Sequence, residues 1–124
     1  MNIAIIGSRT YPDLDAVRQY VRSLPADTVV VSGGADGVDS AAELEAIRRG
    51  LKTRIFRAAW SEHGKSAGMI RNHDIIKSAD RVVVFWDGVS RGSANSIELC
   101  RRYGKPVEIH YADGRVEQRS NLIE

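Results

Sequence analysis

The chain has 124 residues, 43% of them hydrophobic and 27% charged, which suffices for one hydrophobic core and is too short for two domains. A single cysteine excludes an internal disulfide, and neither it nor the three histidines has a zinc-type spacing, so no metal site is expected. With 18 basic and 16 acidic residues the net charge is +2, which argues against a protein that grips nucleic acid by bulk charge alone.

The first apolar run, Ile3-Ala4-Ile5-Ile6, predicts a buried strand and is far too short for a signal peptide or a membrane span. Pro12 and Asp13 then start a helix whose Leu14, Val17, Val21 and Leu24 recur on one face, with Pro25 as its stop. A second strand is predicted at Thr28 to Val31. The helix after it turns Val38, Ala41, Leu44, Ile47 and Leu51 inward and ends at Gly50. Further strands are predicted at Thr53 to Phe56, Arg81 to Trp86 and Pro106 to His110. Between them run a third helix from about Lys65 to Lys77 and a fourth from about Ser93 to Tyr103, the latter burying Ile97, Leu99 or Cys100, and Tyr103. Asp113-Gly114 reads as a tight hairpin before an edge strand at Arg115 to Gln118. Strands that are almost continuously apolar are covered on both faces. With right-handed crossovers, this order predicts an α/β fold: a Rossmann-like, doubly wound, mainly parallel sheet of about five strands with a C-terminal hairpin edge strand, one domain over residues 1–124.

In open α/β sheets ligands bind beyond the carboxyl ends of the strands where the winding reverses, which singles out the loops after strands one, two and four. Gly7, Gly33, Gly34, Gly37, Gly88 and Gly92 all fall on that rim. The segment Ser32-Gly33-Gly34-Ala35-Asp36-Gly37-Val38-Asp39 joins a strand directly to a helix, where backbone N–H groups can approach an anion; a tight turn needing positive φ satisfies the same pattern. It is neither the dinucleotide fingerprint nor the G-x-x-x-x-G-K-S/T loop. Gly7-Ser8-Arg9-Thr10 offers a guanidinium, hydroxyls and N–H groups suited to phosphate or carboxylate. After strand four, Asp87-Gly88-Val89-Ser90 continues through Gly92 to Ser93, which either donates to a phosphate or caps the helix. Asp87 and Asp39 are acceptors for ribose hydroxyls or serve as caps, and Trp86 either stacks on a base or packs under the fourth helix. Charge is unevenly spread, with −4 over residues 1–47, +8 over 48–105 and −2 over 106–124.

Taken together, Gly7-Ser8-Arg9-Thr10, Ser32 to Asp39, Gly64-Lys65-x-Ala67-Gly68-x-x-Arg71-Asn72 and Asp87-Gly88-x-Ser90-x-Gly92 resemble the YspA/YpsA-related branch of the SLOG superfamily. The resemblance implies a Rossmann-like domain that binds a nucleotide or a nucleotide-derived ligand. Two related groups pull the function in different directions. Cytokinin-activating phosphoribohydrolases place an Arg nine residues before an Ala-Asp, as Arg71 stands before Asp80, but their catalytic Glu is replaced here by Ser96. Glu98 lies about 200° around the helix from that position, too far to substitute simply. The DNA-processing protein of natural transformation has a G-S-R loop and an S-G-x-A-x-G-I-D motif similar to Gly7-Ser8-Arg9 and Ser32 to Asp39, and that resemblance implies single-stranded DNA as a partner.

The expectation is therefore a cytoplasmic protein, a homodimer by analogy, that binds a nucleotide or nucleotide derivative as sensor or processing domain. The second loop's N–H groups, Arg9 and Arg71 would hold phosphate, with Asn72 beside them and Asp87 or Asp39 on the ribose. Nucleoside-monophosphate N-glycosidase activity, with Arg71 as the best catalytic candidate, and single-stranded DNA binding stand as the alternatives. Neither a metal nor a cofactor is expected.

Overall fold

The computed structural model describes residues 1–122. Its first half runs β1 (Asn2–Gly7), α1 (Leu14–Arg22), β2 (Val29–Ser32), α2 (Val38–Arg48) and β3 (Lys52–Ile55). A short helix α3 (Trp60–His63) and a 3₁₀ turn (Gly64–Ser66) follow. The second half runs α4 (Ala67–Ser78), β4 (Arg81–Trp86), α5 (Arg91–Arg102), β5 (Val107–Tyr111) and β6 (Val116–Arg119). The strands form one six-stranded sheet in the order β3-β2-β1-β4-β5-β6, parallel except for the β5–β6 hairpin. This is the Rossmann-like, doubly wound sheet. Its winding reverses between β1 and β4, so the loops leaving those strands diverge and open a cleft at their carboxyl ends.

The central strands are apolar throughout because both of their faces are covered. From β1, Ile3 and Ile5 pack with Val17, Val21, Val38 and Ala42 beneath α1 and α2. Ala4 and Ile6 pack on the other face with Ile75, Ile76, Leu99 and Cys100 beneath α4 and α5. Edge strand β3 alternates instead, exposing Lys52 and Arg54, and such charges discourage further strand pairing.

Three local expectations need correction. Leu44 and Ile47 of α2 are exposed, and the helix instead buries Val38, Ala41, Ala42, Glu45 and Ala46. Glu45 turns inward because Arg22 of α1 reaches its carboxylate at 2.8 Å and Arg48 at 3.2 Å, so an ion pair joins the two helices where an apolar stripe was expected. The helix expected from Lys65 begins at Ala67, since Gly64 has φ of 57° and breaks the chain into α3 and a 3₁₀ turn first. The fourth long helix begins at Arg91 rather than Ser93 because Asp87 accepts from the N–H groups of Val89 and Ser90 and bends the chain early. Among the described residues, no helix is long and apolar enough to cross a membrane.

Candidate functional site

The loops after β1, β2 and β4 enclose a cleft of about 410 Å³ at the winding reversal, closed on its remaining side by α4 and the start of α5. Of the residues singled out from the sequence, Gly7, Arg9, Thr10, Ala35, Asp39, Arg71, Asn72, Asp87, Ser90, Gly92 and Ser93 line it, and so does Ser96. Gly33, Gly34 and Asp36 line an adjoining cleft of about 260 Å³ instead. Ser8, Ser32, Gly37 and Gly88 line neither.

Asp39, 4% exposed, ties the first two loops together. Gly7 N–H donates to its Oδ1 at 3.2 Å, while Gly33 N–H and Ala35 N–H donate to its Oδ2 at 3.1 and 3.4 Å. Burial pushes its carboxyl up to about 6 against the opposing pull of Arg71 and these three N–H groups. The expected roles change accordingly. N–H groups assigned to a ligand phosphate serve an internal carboxylate, and both Asp39 oxygens are engaged by backbone rather than offered to a ribose.

The glycines make this packing possible. A Cβ at Gly7 would overlap the Phe85 carbonyl oxygen, and one at Gly33 would lie 2.8 Å from both Arg71 Nη1 and Asp39 Oδ2. Gly37, at φ of 80°, lies against the backbone of Arg9 and fastens the second loop to the first. Ser32 Oγ donates to the Ile5 carbonyl at 2.8 Å, so this hydroxyl joins two strand ends.

Arg71 reaches across from α4, donating from Nη1 to the Gly33 carbonyl at 2.7 Å and from Nε to Asn72 Oδ1 at 3.2 Å. Burial, then the neighbouring Arg9 charge, lower its pKa, and Asp39 opposes them. Asn72 in turn donates to Asn95 Oδ1 at 3.3 Å, a contact with α5 that spacing in the sequence does not reveal.

On the far wall, Asp87 organises the β4–α5 loop. Its Oδ1 accepts from Val89 N–H at 2.9 Å and Ser90 N–H at 2.8 Å, and its Oδ2 accepts from Thr10 Oγ1 at 2.9 Å. Burial raises its pKa, but these bonds outweigh that and hold it below the usual carboxylate range. Asp87 N–H donates to Ser8 Oγ at 3.1 Å, and Ser8 Oγ lies 3.3 Å from Ser93 Oγ. Because α5 begins at Arg91 with Ser90 as its N-cap residue, Ser93 sits in the first turn rather than at the cap.

Of the three long helices that line the cleft, α2 differs from α4 and α5 in charge at its start. Asp39 occupies the first turn of α2, whereas α4 and α5 have no acidic residue in theirs, and none of the three has a side-chain cap. The positive end of α5, with Gly92 and Ser93, faces the cleft, and the Asp87 carboxylate is held on the Ser90 N–H just before it. Trp86 donates from Nε1 to the Ser90 carbonyl at 3.1 Å and lies against Tyr111, so it packs beneath the loop. Glu98 pairs with Arg101 and Arg102 and does not line the cleft, whereas Ser96 does.

The adjoining cleft brings in Arg57, Ala58 and Trp60. They follow β3, and attention to loops one, two and four passes over them; the available signal was Arg57 and Trp60 just beyond a strand's carboxyl end.

A family model described as DNA recombination-mediator protein A matches residues 1–59, which include both glycine-bearing loops of the amino-terminal half. The Gene 61 protein of Mycobacterium phage D29 is 33% identical over 121 residues, covering 90% of this chain and 96% of the relative. The chain belongs to the SLOG superfamily, in its DNA-processing branch. This SLOG domain also resembles DNA processing protein A from Helicobacter pylori, with a TM-score of 0.66 and 25% identity over 88% of the chain. It spans 64% of that protein, whose structure was described for its single-stranded DNA binding mode.

Proposed function

We infer that the protein binds single-stranded DNA, seating one nucleotide in the larger cleft with its phosphate at the amino terminus of α5 and beside Arg9 and Arg71. The observation that carries this reading is the start of α5, with no acidic residue in its first turn, opening into a cleft that Arg9 and Arg71 also line. The likeness to a single-stranded DNA binding protein favours DNA as the source of the nucleotide. A free nucleotide is the second reading, favoured by the cleft's volume of about 410 Å³, the size of a pocket for one small ligand.

Fluorescence anisotropy with labelled oligothymidylate at low salt tests the inference. The wild type binds, and Arg71→Ala weakens binding at least about tenfold, the effect of removing a charge-assisted hydrogen bond. Binding of mononucleotides without any binding of oligomers would transfer the site to the second reading, and no binding of either kind would overturn both. N-glycosidase activity gains no support from the carboxylates here, because Asp39 and Asp87 are both committed to backbone N–H groups.

A further inference from the structure

The smaller cleft shares Arg9, Ala35 and Arg71 with the larger one, so the two are neighbouring chambers with a pair of guanidiniums at their common wall. A ligand spanning both would place an anionic group at that wall and less charged groups in each chamber. Two nucleosides joined by a phosphodiester have this order of charge.

The smaller chamber also has a surface for a base. Trp60 is 53% exposed on its wall, and its indole pairs with no other aromatic ring among the described residues. The ring and the Arg71 guanidinium both lie alongside Gly68. A Cβ there would lie 3.5 Å from Trp60 Cη2 and 3.7 Å from Arg71 Nη2. On the opposite side, Arg57 lies over Gly34, where a Cβ would come within 2.6 Å of Arg57 Nη1, and Glu43 pairs with its guanidinium at 3.5 Å. A half-exposed indole next to cations is the combination that stacks a nucleobase without reading its sequence.

We propose that the smaller cleft is a subsite for a second nucleotide, so that the recognised unit is a phosphodiester-linked dinucleotide with its bridging phosphate between Arg9 and Arg71 and one base on Trp60. This rests on the inferred nucleotide site in the larger cleft. A mononucleotide would occupy that cleft and leave Trp60 uncovered.

Calorimetric titration of the full chain with thymidine monophosphate, the 5′-phosphorylated thymidine dinucleotide and a thymidine octamer tests it, alongside Trp60→Ala and Trp60→Phe. The dinucleotide binds the wild type about tenfold more tightly than the mononucleotide, the gain expected from one stacked base. Trp60→Ala removes that gain while leaving mononucleotide affinity unchanged, and Trp60→Phe retains most of it. Equal affinity for dinucleotide and octamer identifies a free dinucleotide as the ligand; tighter binding of the octamer identifies a strand. Either supports the subsite. A dinucleotide that binds no better than the mononucleotide, with Trp60→Ala silent, overturns the subsite and leaves the larger cleft's assignment standing. Failure of all three ligands to bind overturns both.

Discussion

Asp39 keeps a carboxylate at the floor of a cleft otherwise suited to anions, and its proton equilibrium affects both folding and binding. Its folded pKa of about 6 lies above its unfolded value of 3.8, so over that interval the native protein holds a proton the unfolded chain has released. Stability from this group is therefore greatest below about 4 and declines as pH rises through 6. Thermal unfolding should show the wild type's advantage over Asp39→Asn narrowing across this range, because other titrating carboxylates are common to both proteins. Protonation also removes a negative charge next to Arg71. Affinity for an oligonucleotide, whose internal phosphodiesters keep a constant charge here, should rise as pH falls below about 6, and that rise should be absent in Asp39→Asn.

At the scale of elements, the start of α5 and the face of α2 separate binding from stability. A Cβ at Gly92 meets open space, and its φ is not in the left-handed region, so Gly92→Asp fits the helix. An acid in the first turn adds about 0.3–1 kcal/mol of stability through the helix dipole while occupying the proposed phosphate position. Denaturant unfolding should show unchanged or greater stability, and anisotropy should show loss of DNA binding. On α2, Leu44→Gln or Ile47→Gln should shift unfolding by no more than about 0.5 kcal/mol, since both side chains already face water. Ala46→Leu should cost about 1–3 kcal/mol, because it forces volume into a fully packed layer. Helical spacing identified α2 as a helix and turned Val38 and Ala41 inward correctly, but it wrongly put Leu44 and Ile47 on the buried face. The Arg22–Glu45 pair joins side chains 23 positions apart, and no periodicity within α2 encodes it.

For the whole molecule, the net charge of +2 conceals extensive pairing: Arg18, Arg22, Arg48, Arg57, Arg101, Arg102, Arg115 and Arg119 each meet a carboxylate. If DNA is held mainly by Arg9 and Arg71, with Arg57 exchanging Glu43 for a phosphate as a third contact, two or three phosphates are neutralised. The logarithm of affinity should then fall with the logarithm of salt concentration at a slope of about −1.4 to −2. A slope beyond about −4 in a salt titration would mean that the strand is held along the outer surface instead. The overall architecture was legible in the chain because it rests on short-range regularities. Apolar runs identified strands buried on both faces, 3- and 4-residue spacing identified helices, and glycines identified the rim. What only the tertiary structure decided was the use of that rim's hydrogen bonds. Asp39 takes N–H groups from two loops, the start of α5 with no acid in its first turn opens into the cleft, and Arg9 and Arg71 stand at the wall between two chambers. These are contacts between residues distant in the chain, set by how the sheet brings its loops together, whereas local spacing records only the conformation each segment prefers.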